Sequence, residues 1–387
     1  MRTSIIGTLI SLLFLIGITQ SVSAFSPATQ VFYIPIPEDQ AFTTFDALYP
    51  SQVSGNIVNY ISIVPARTDT YVYYDQWENG YDSDIANPVN LYSASNTGGT
   101  QIWGDGNAAN GCPPNINWVA VTCSNANDRL TAGAAIIVSS VVVPTSDGMA
   151  VIDFDGRDKV AATGPIAVTR TGWPVTPGTV LASSSEVLPT QNWGTDYRVP
   201  VGENTPTGAT PATSLFSYSS IAIMASQNGT SVTIDLDGSG TISSPFSITL
   251  NEGESYAVMG GVMEGASVLS SAPVQVNLMA GGLGSLIRMD WYALYPKSLW
   301  SNVYYDPVGT SSSAPTSLFF YNPGPSSMTV NCNYLGSSAS QTIAANDTLS
   351  VTVPTNSGAR CASNTGYPFF AIATVDTEAD NTASDWG

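Results

Sequence analysis

The phrase NWGTDYRVPVG, Asn192 to Gly202, returns as LWSNVYYDPVG, Leu299 to Gly309. Trp193, Tyr197, Pro200, Val201 and Gly202 line up with Trp300, Tyr304, Pro307, Val308 and Gly309, a shift of about one small β-domain. SDWG, with Trp386 and Gly387, begins the phrase a third time. A chain that repeats itself at domain length is built of like units, each small enough to fold around its own core.

The units share more than this phrase. In NGTSVTIDLDGSG, from Asn228, Val232, Ile234 and Leu236 alternate with polar residues before an Asp-Gly turn, which predicts a strand with one solvent face entering a hairpin. PSSMTVNCNYLGS, from Pro325, matches it with Met328 and Val330 on one face. In TGPIAVTR, SAPVQVNL and GYPFFAIA a proline (Pro165, Pro273, Pro368) opens an apolar strand, where no ladder donor is missed. The Trp phrase is read as closing each unit, with the indole over one end of the sandwich.

No stretch after the N-terminal segment holds a sustained 3.6-residue apolar period, and turn signals recur every few residues. The expected fold is all-β: tandem β-sandwich domains with no substantial helix in the mature chain. The expected division is a signal peptide at 1–24, a first sandwich at 25–205, a second at 206–310 and a third at 311–387. QVFYIPIPE and NIVNYISIVPA, near the start, read as strands that complete the first sandwich. That unit is lengthened by an insert of about 81–128, and inserted, pinned loops on a rigid scaffold are where function concentrates.

Residues 1–24 have the grammar of an export signal: Arg2, an apolar run from Ile5 to Thr19, and small residues at Val22, Ser23 and Ala24 before Phe25. The run is shorter than the roughly 20 residues of a spanning helix, so no membrane insertion is expected once it is removed. Export makes disulfides the default for the four cysteines. Cys112 with Cys123 and Cys332 with Cys361 is the local pairing among the three that four cysteines allow.

Charge and composition then narrow the chemistry. Ten basic residues stand against 29 acidic ones, a net charge of −19, so nucleic acid is not an expected partner. The chain has no histidine, which removes Ser-His-Asp and Cys-His catalysis and the common zinc sites. Glycoside cleavage by paired carboxylates survives as a lesser alternative, with Asp75 and Glu78 of YYDQWENG as its pair. No motif requires a cofactor. Calcium is the one cation with a candidate place, at Asp153, Asp155 and Asp158 of DFDGRD. Trp77, Trp103 and Trp118, in or beside the insert, are the candidates for gripping sugar rings.

The series NGTSVTI, LNEGESYAV and GASVLSSAPVQV resembles the module named after the N-terminal region of the IgG Fc-binding protein. YYDQWENGYDSDI, QIWGDGN, DFDGRDKVAATGPIAVTR and NWGTDYRVPVGE resemble the opening region of large exported bacterial repeat proteins. The likeness runs from Thr68 to Gly387 and implies a secreted or cell-surface β-rich protein. It supplies no catalytic residues and no Fc-contact motif. The expectation is a non-catalytic protein of surface display, adhesion or matrix assembly, whose partner is a surface glycan or a protein. The chain ends inside the third Trp phrase, which is read as the end of a fragment.

Overall fold

The strand Ser54–Pro65 shows how the alternating pattern is realised: Ile57, Asn59, Ile61 and Ile63 are buried while Val58, Tyr60 and Ser62 face outward. The structure is a computed structural model that describes residues 28–144, 152–203, 215–239, 244–283, 289–307 and 315–375. The export signal expected at 1–24, Val308, Gly309 and the closing SDWG lie outside the described residues.

Ser54–Pro65 sits inside a six-stranded sheet, flanked by Ile136–Val142 on one side and Ile166–Thr176 on the other, all antiparallel. A four-stranded sheet lies against it in the order Gln30–Tyr33, Lys159–Ala162, Val72–Asp75, Gln101–Trp103. Between the two sheets Phe32, Ile61, Ile63, Tyr74, Trp103, Ile136, Val138, Val160 and Val168 form one core. The N-terminal strands therefore complete this first unit. Part of the expected insert belongs to the scaffold too, because Gln101–Trp103 is hydrogen-bonded to Val72–Asp75.

The second unit is one sheet folded about its longest strand, Ser267–Gly281. The first half of that strand pairs with Thr230–Asp235 and Gly194–Arg198, and the second half with Tyr218–Ala225 and Met289–Leu294. Pro273 does not open this strand, as its sequence context predicted. It stands in the middle, where the partners change over and none of the four ladders uses its missing N–H. The third unit faces a four-stranded sheet (Val303–Asp306, Ala359–Ser363, Met328–Tyr334, Ser337–Ile343) with a three-stranded one (Asp347–Thr352, Thr316–Asn322, Phe370–Val375). Cys332 and Cys361 are directly opposite each other in the first of these sheets and form a disulfide within the core. Cys112 and Cys123 pair likewise, closing the loop expected of them.

The two Trp phrases adopt the same local structure. Each begins with a single 3-10 turn, Thr190–Asn192 or Lys297–Leu299, introduced by Pro189 or Pro296. The Trp193 Nε1–H donates to Leu188 O at 2.9 Å, and that of Trp300 to Tyr295 O at 2.8 Å. The hydroxyl of Tyr197 accepts from Gly194 N–H and donates to Val274 O, and Tyr304 does the same with Ser301 and Phe369. The carbonyl reached is in both cases that of the residue after one of the repeated prolines, Pro273 or Pro368. These phrases do not close the preceding units, as was expected. The strands that follow each indole, Gly194–Arg198 and Val303–Asp306, pair into the next sheet, so they cross the divisions placed at 205/206 and 310/311.

Both indoles are buried at junctions. Trp193 packs with Tyr33, Leu188 and Met224, and Trp300 stacks on Phe370 at 5.2 Å between second-unit and third-unit residues. The fold is all-β as expected, and the first junction contains the one α-helix described, the short Glu38–Leu48. Its Ala41, Phe45 and Leu48, spaced i, i+4, i+7, enter a core with Ile57, Leu181, Tyr218, Ala222, Met279 and Trp291. The helix start is held by Arg170, fully buried, which donates to Pro35 O, Ile36 O, the Glu38 carboxylate and Asn59 Oδ1. Three aligned apolar positions between Pro37 and Pro50 are too short a run to register as a period.

Candidate functional site

The acidic phrases YYDQWENGYDSD and DFDGRDKV, far apart in sequence, meet beneath the first unit's surface. Val72–Asp75 pairs with Lys159–Ala162 so that Asp75 lies opposite Lys159. Asp75 is fully buried; its carboxylate accepts from Asp82 N–H at 2.8 Å and from the Thr100 hydroxyl at 3.0 Å. Burial outweighs these bonds and pushes its carboxyl up to about 6. Glu78, 2% exposed in the 3-10 turn Trp77–Asn79, accepts from Asp153 N–H, and burial raises its carboxyl as well. Both carboxylates of the pair considered for glycoside cleavage are thus buried.

The expected calcium triad is also drawn into structure. Asp158 is fully buried, takes the Tyr74 hydroxyl at 2.6 Å and Asp155 N–H at 3.0 Å, and is held well above the usual carboxylate range by desolvation. Asp155 accepts from Trp77 Nε1 at 3.0 Å. Asp153 is half-exposed, and its backbone rather than its carboxylate ties it to Glu78 and Gln76. Among the described residues no group of three or more acidic, cysteine or histidine side chains is arranged to hold a metal ion.

The three candidate tryptophans separate. Trp103 is fully buried and stacks on Tyr74 at 5.1 Å, because its strand is part of the core sheet. Trp77 is half-buried under the Arg157 guanidinium, 4.6 Å from the ring centroid. Trp118 alone is open, 71% exposed at the tip of the hairpin Asn115–Ile116 with Val119–Ala120.

A concave site lies elsewhere, at the junction of the first and second units. A cleft of about 680 Å³ opens between the insert segment from Ser83 to Asn87 and the turns carrying Gln227 and Glu252. Clefts of this size at unit boundaries are where ligands usually seat. At its base the Lys159 ammonium meets the Glu252 carboxylate at 2.8 Å, and the same oxygen accepts the Tyr33 hydroxyl at 2.6 Å. Lys159 also lies 5.5 and 5.6 Å from the ring centroids of Tyr33 and Tyr81, so its charge is stabilised by two aromatic faces. Desolvation, reinforced by Glu252, lifts the Tyr33 phenol above its ordinary range, so it stays a donor. The rim supplies hydroxyls and amides, among them Ser83, Asn87 and Gln191, and Val31 and Ile85 supply apolar surface. Such a cleft can orient a polar ligand by hydrogen bonds, and the exposed Asp84 carboxylate on its lining adds one negative charge that no ion pair neutralises among the described residues.

Sequence reasoning passed over Lys159, Glu252 and Tyr33. One signal was present: a lysine inside a strand whose four residues are all buried, in a chain with ten basic residues, has to be paired. Its partner lies on a turn of another unit and leaves no trace in local pattern.

The family described as IgGFc binding protein matches residues 183–382, more than half of the chain. No curated protein matches it.

Proposed function

This chain belongs to the IgGFc-binding protein family, and we propose that it is a non-catalytic extracellular binding protein of adhesion or surface display. Its ligand seats in the cleft between the first two units. The carrying observation is the Lys159–Glu252–Tyr33 group at the base of that cleft, assembled from two units that a shared core holds together. Burial of Asp75 and Glu78 favours binding over glycoside cleavage. Two formed disulfides favour an oxidising, extracellular setting. No helix among the described residues is long and apolar enough to cross a membrane.

The test immobilises the chain and passes IgG Fc, mucin and a set of polysaccharides over it, following reducing-end release in parallel. The variant Lys159→Met with Glu252→Gln removes both charges of the pair together, so neither is left buried alone. Binding of one class, weakened at least about tenfold in this variant, is the expected result. Release of reducing ends, or binding indifferent to the double substitution, would overturn the reading.

A further inference from the structure

A row of aromatic rings crosses the outer face of the six-stranded sheet. Tyr60 stacks on Trp173 at 5.3 Å with an interplanar angle of 14°, and Trp118 joins it at 5.7 Å. The register explains the row: Val58 lies opposite Val141 and Trp173, and Tyr60 opposite Ser139 and Thr171, all on the side away from the core. Val119, Val141, Val143 and Val175 extend it, each between 43% and 65% exposed. An apolar face of this extent on a sheet marks an interaction surface.

Two further observations narrow what it meets. The first is backbone conformation. Trp118 holds φ at 65° at its hairpin tip, where Gly, Asn or Asp is the unstrained choice. Asn117 anchors that tip, with its N–H on Ala135 O and its side chain accepting Ala135 N–H. A bulky ring kept in a costly conformation and left 71% exposed is retained for what it touches. The second is charge. In the strands Ser54–Pro65, Ile136–Val142 and Ile166–Thr176 the only charged residue is Arg170, and it is buried on the opposite face. Hydroxyls flank the rings instead: Ser62, Ser139 and Thr171, with Thr171 bonded to Ser184 at 2.9 Å. Glu186, bonded to Tyr295, is the one acid of the edge strand Ser183–Glu186.

We propose that the Trp118–Tyr60–Trp173 row binds a neutral polysaccharide. Sugar rings present C–H faces that stack on aromatic rings and hydroxyls that bond to Ser and Thr, which this uncharged face offers alternately. A net charge of −19 on the whole protein sets it against anionic polymers. This inference rests on the reading of the chain as a binding protein, and it concerns a surface distinct from the cleft.

Affinity electrophoresis of the whole secreted chain through gels containing hydroxyethylcellulose, mannan or polygalacturonate tests it. Retardation by a neutral polymer and not by polygalacturonate is expected, weakened about tenfold in Trp118→Ala and in Trp173→Ala. Trp118 is so exposed that its removal leaves the fold intact. Tyr367→Ala, 72% exposed on the third unit, should change nothing. Absence of retardation by either neutral polymer would overturn the inference, and so would retardation unaffected by Trp118→Ala. If the Lys159→Met/Glu252→Gln variant abolishes retardation while Trp118→Ala does not, the glycan sits in the cleft; the row is then refuted and the binding reading stands.

Discussion

Removing one oxygen from Tyr197 should cost the protein far more than removing the equivalent oxygen from Tyr304. Both hydroxyls bridge a peptide N–H three residues back and a carbonyl on a distant strand, at 3.0 and 2.5 Å for Tyr197 and at 3.2 and 2.7 Å for Tyr304. Their surroundings differ. Tyr197 is 1% exposed and its bond to Val274 O is buried, so Tyr197→Phe leaves that carbonyl short of a partner out of reach of water, while the N–H of half-buried Gly194 loses its acceptor nearer the surface. A buried orphan costs about 1–3 kcal/mol and the half-buried N–H less, about 2–3 kcal/mol together. Tyr304 is half-buried, and water replaces most of what Tyr304→Phe removes, which leaves a loss of about 1 kcal/mol. Urea titrations of the two variants, read by tryptophan fluorescence and far-UV circular dichroism together, measure the difference as midpoint shifts at unchanged slope. Equal losses, or a loss below about 0.5 kcal/mol for Tyr197→Phe, would refute the assignment of these hydroxyls as bridges whose value is set by burial.

Three other outcomes follow from named contacts. Phe45→Ala should destabilise by about 3–5 kcal/mol and split thermal unfolding into two transitions in calorimetry, because Phe45 lies against Trp291 in the core that joins the first two units. The Asp75 carboxyl, at about 6 in the folded protein and near 4 unfolded, binds its proton more tightly when folded. Its stabilising contribution is therefore complete below about pH 4 and is lost as pH rises through about 6; Asp75→Asn should flatten the decline between pH 4 and 7 by on the order of 2–3 kcal/mol in chemical denaturation. Replacing Cys332 and Cys361 together by serine should cost about 3–4 kcal/mol, read as a lowered urea midpoint, since their bond closes a separation of 29 residues.

The β class, both disulfides and the equivalence of the two Trp phrases were legible in the sequence because each rests on short-range order. Alternation in NIVNYISIVP fixes which side chains share a face, and neighbouring cysteines face the smallest loop to close. The Trp phrase carries its own bonds: the indole reaches five residues back and the tyrosine hydroxyl three. What each face meets was decided by tertiary structure alone. Trp103 and Trp118 are alike as letters, yet one strand pairs into the core sheet and the other is a hairpin tip on the outside. The helix Glu38–Leu48 is stable through Phe45 and Leu48 packing beside Trp291 of another unit, a contact worth more than its own short propensity. Lys159 and Glu252 are brought together by the packing of a turn of one unit against another, and Tyr60, Trp118 and Trp173 by strand pairings that cross large spans of chain. Periodicity specifies a face and its polarity; only the packing of distant strands determines whether that face is sealed in a core, joined to another unit or left open to a ligand.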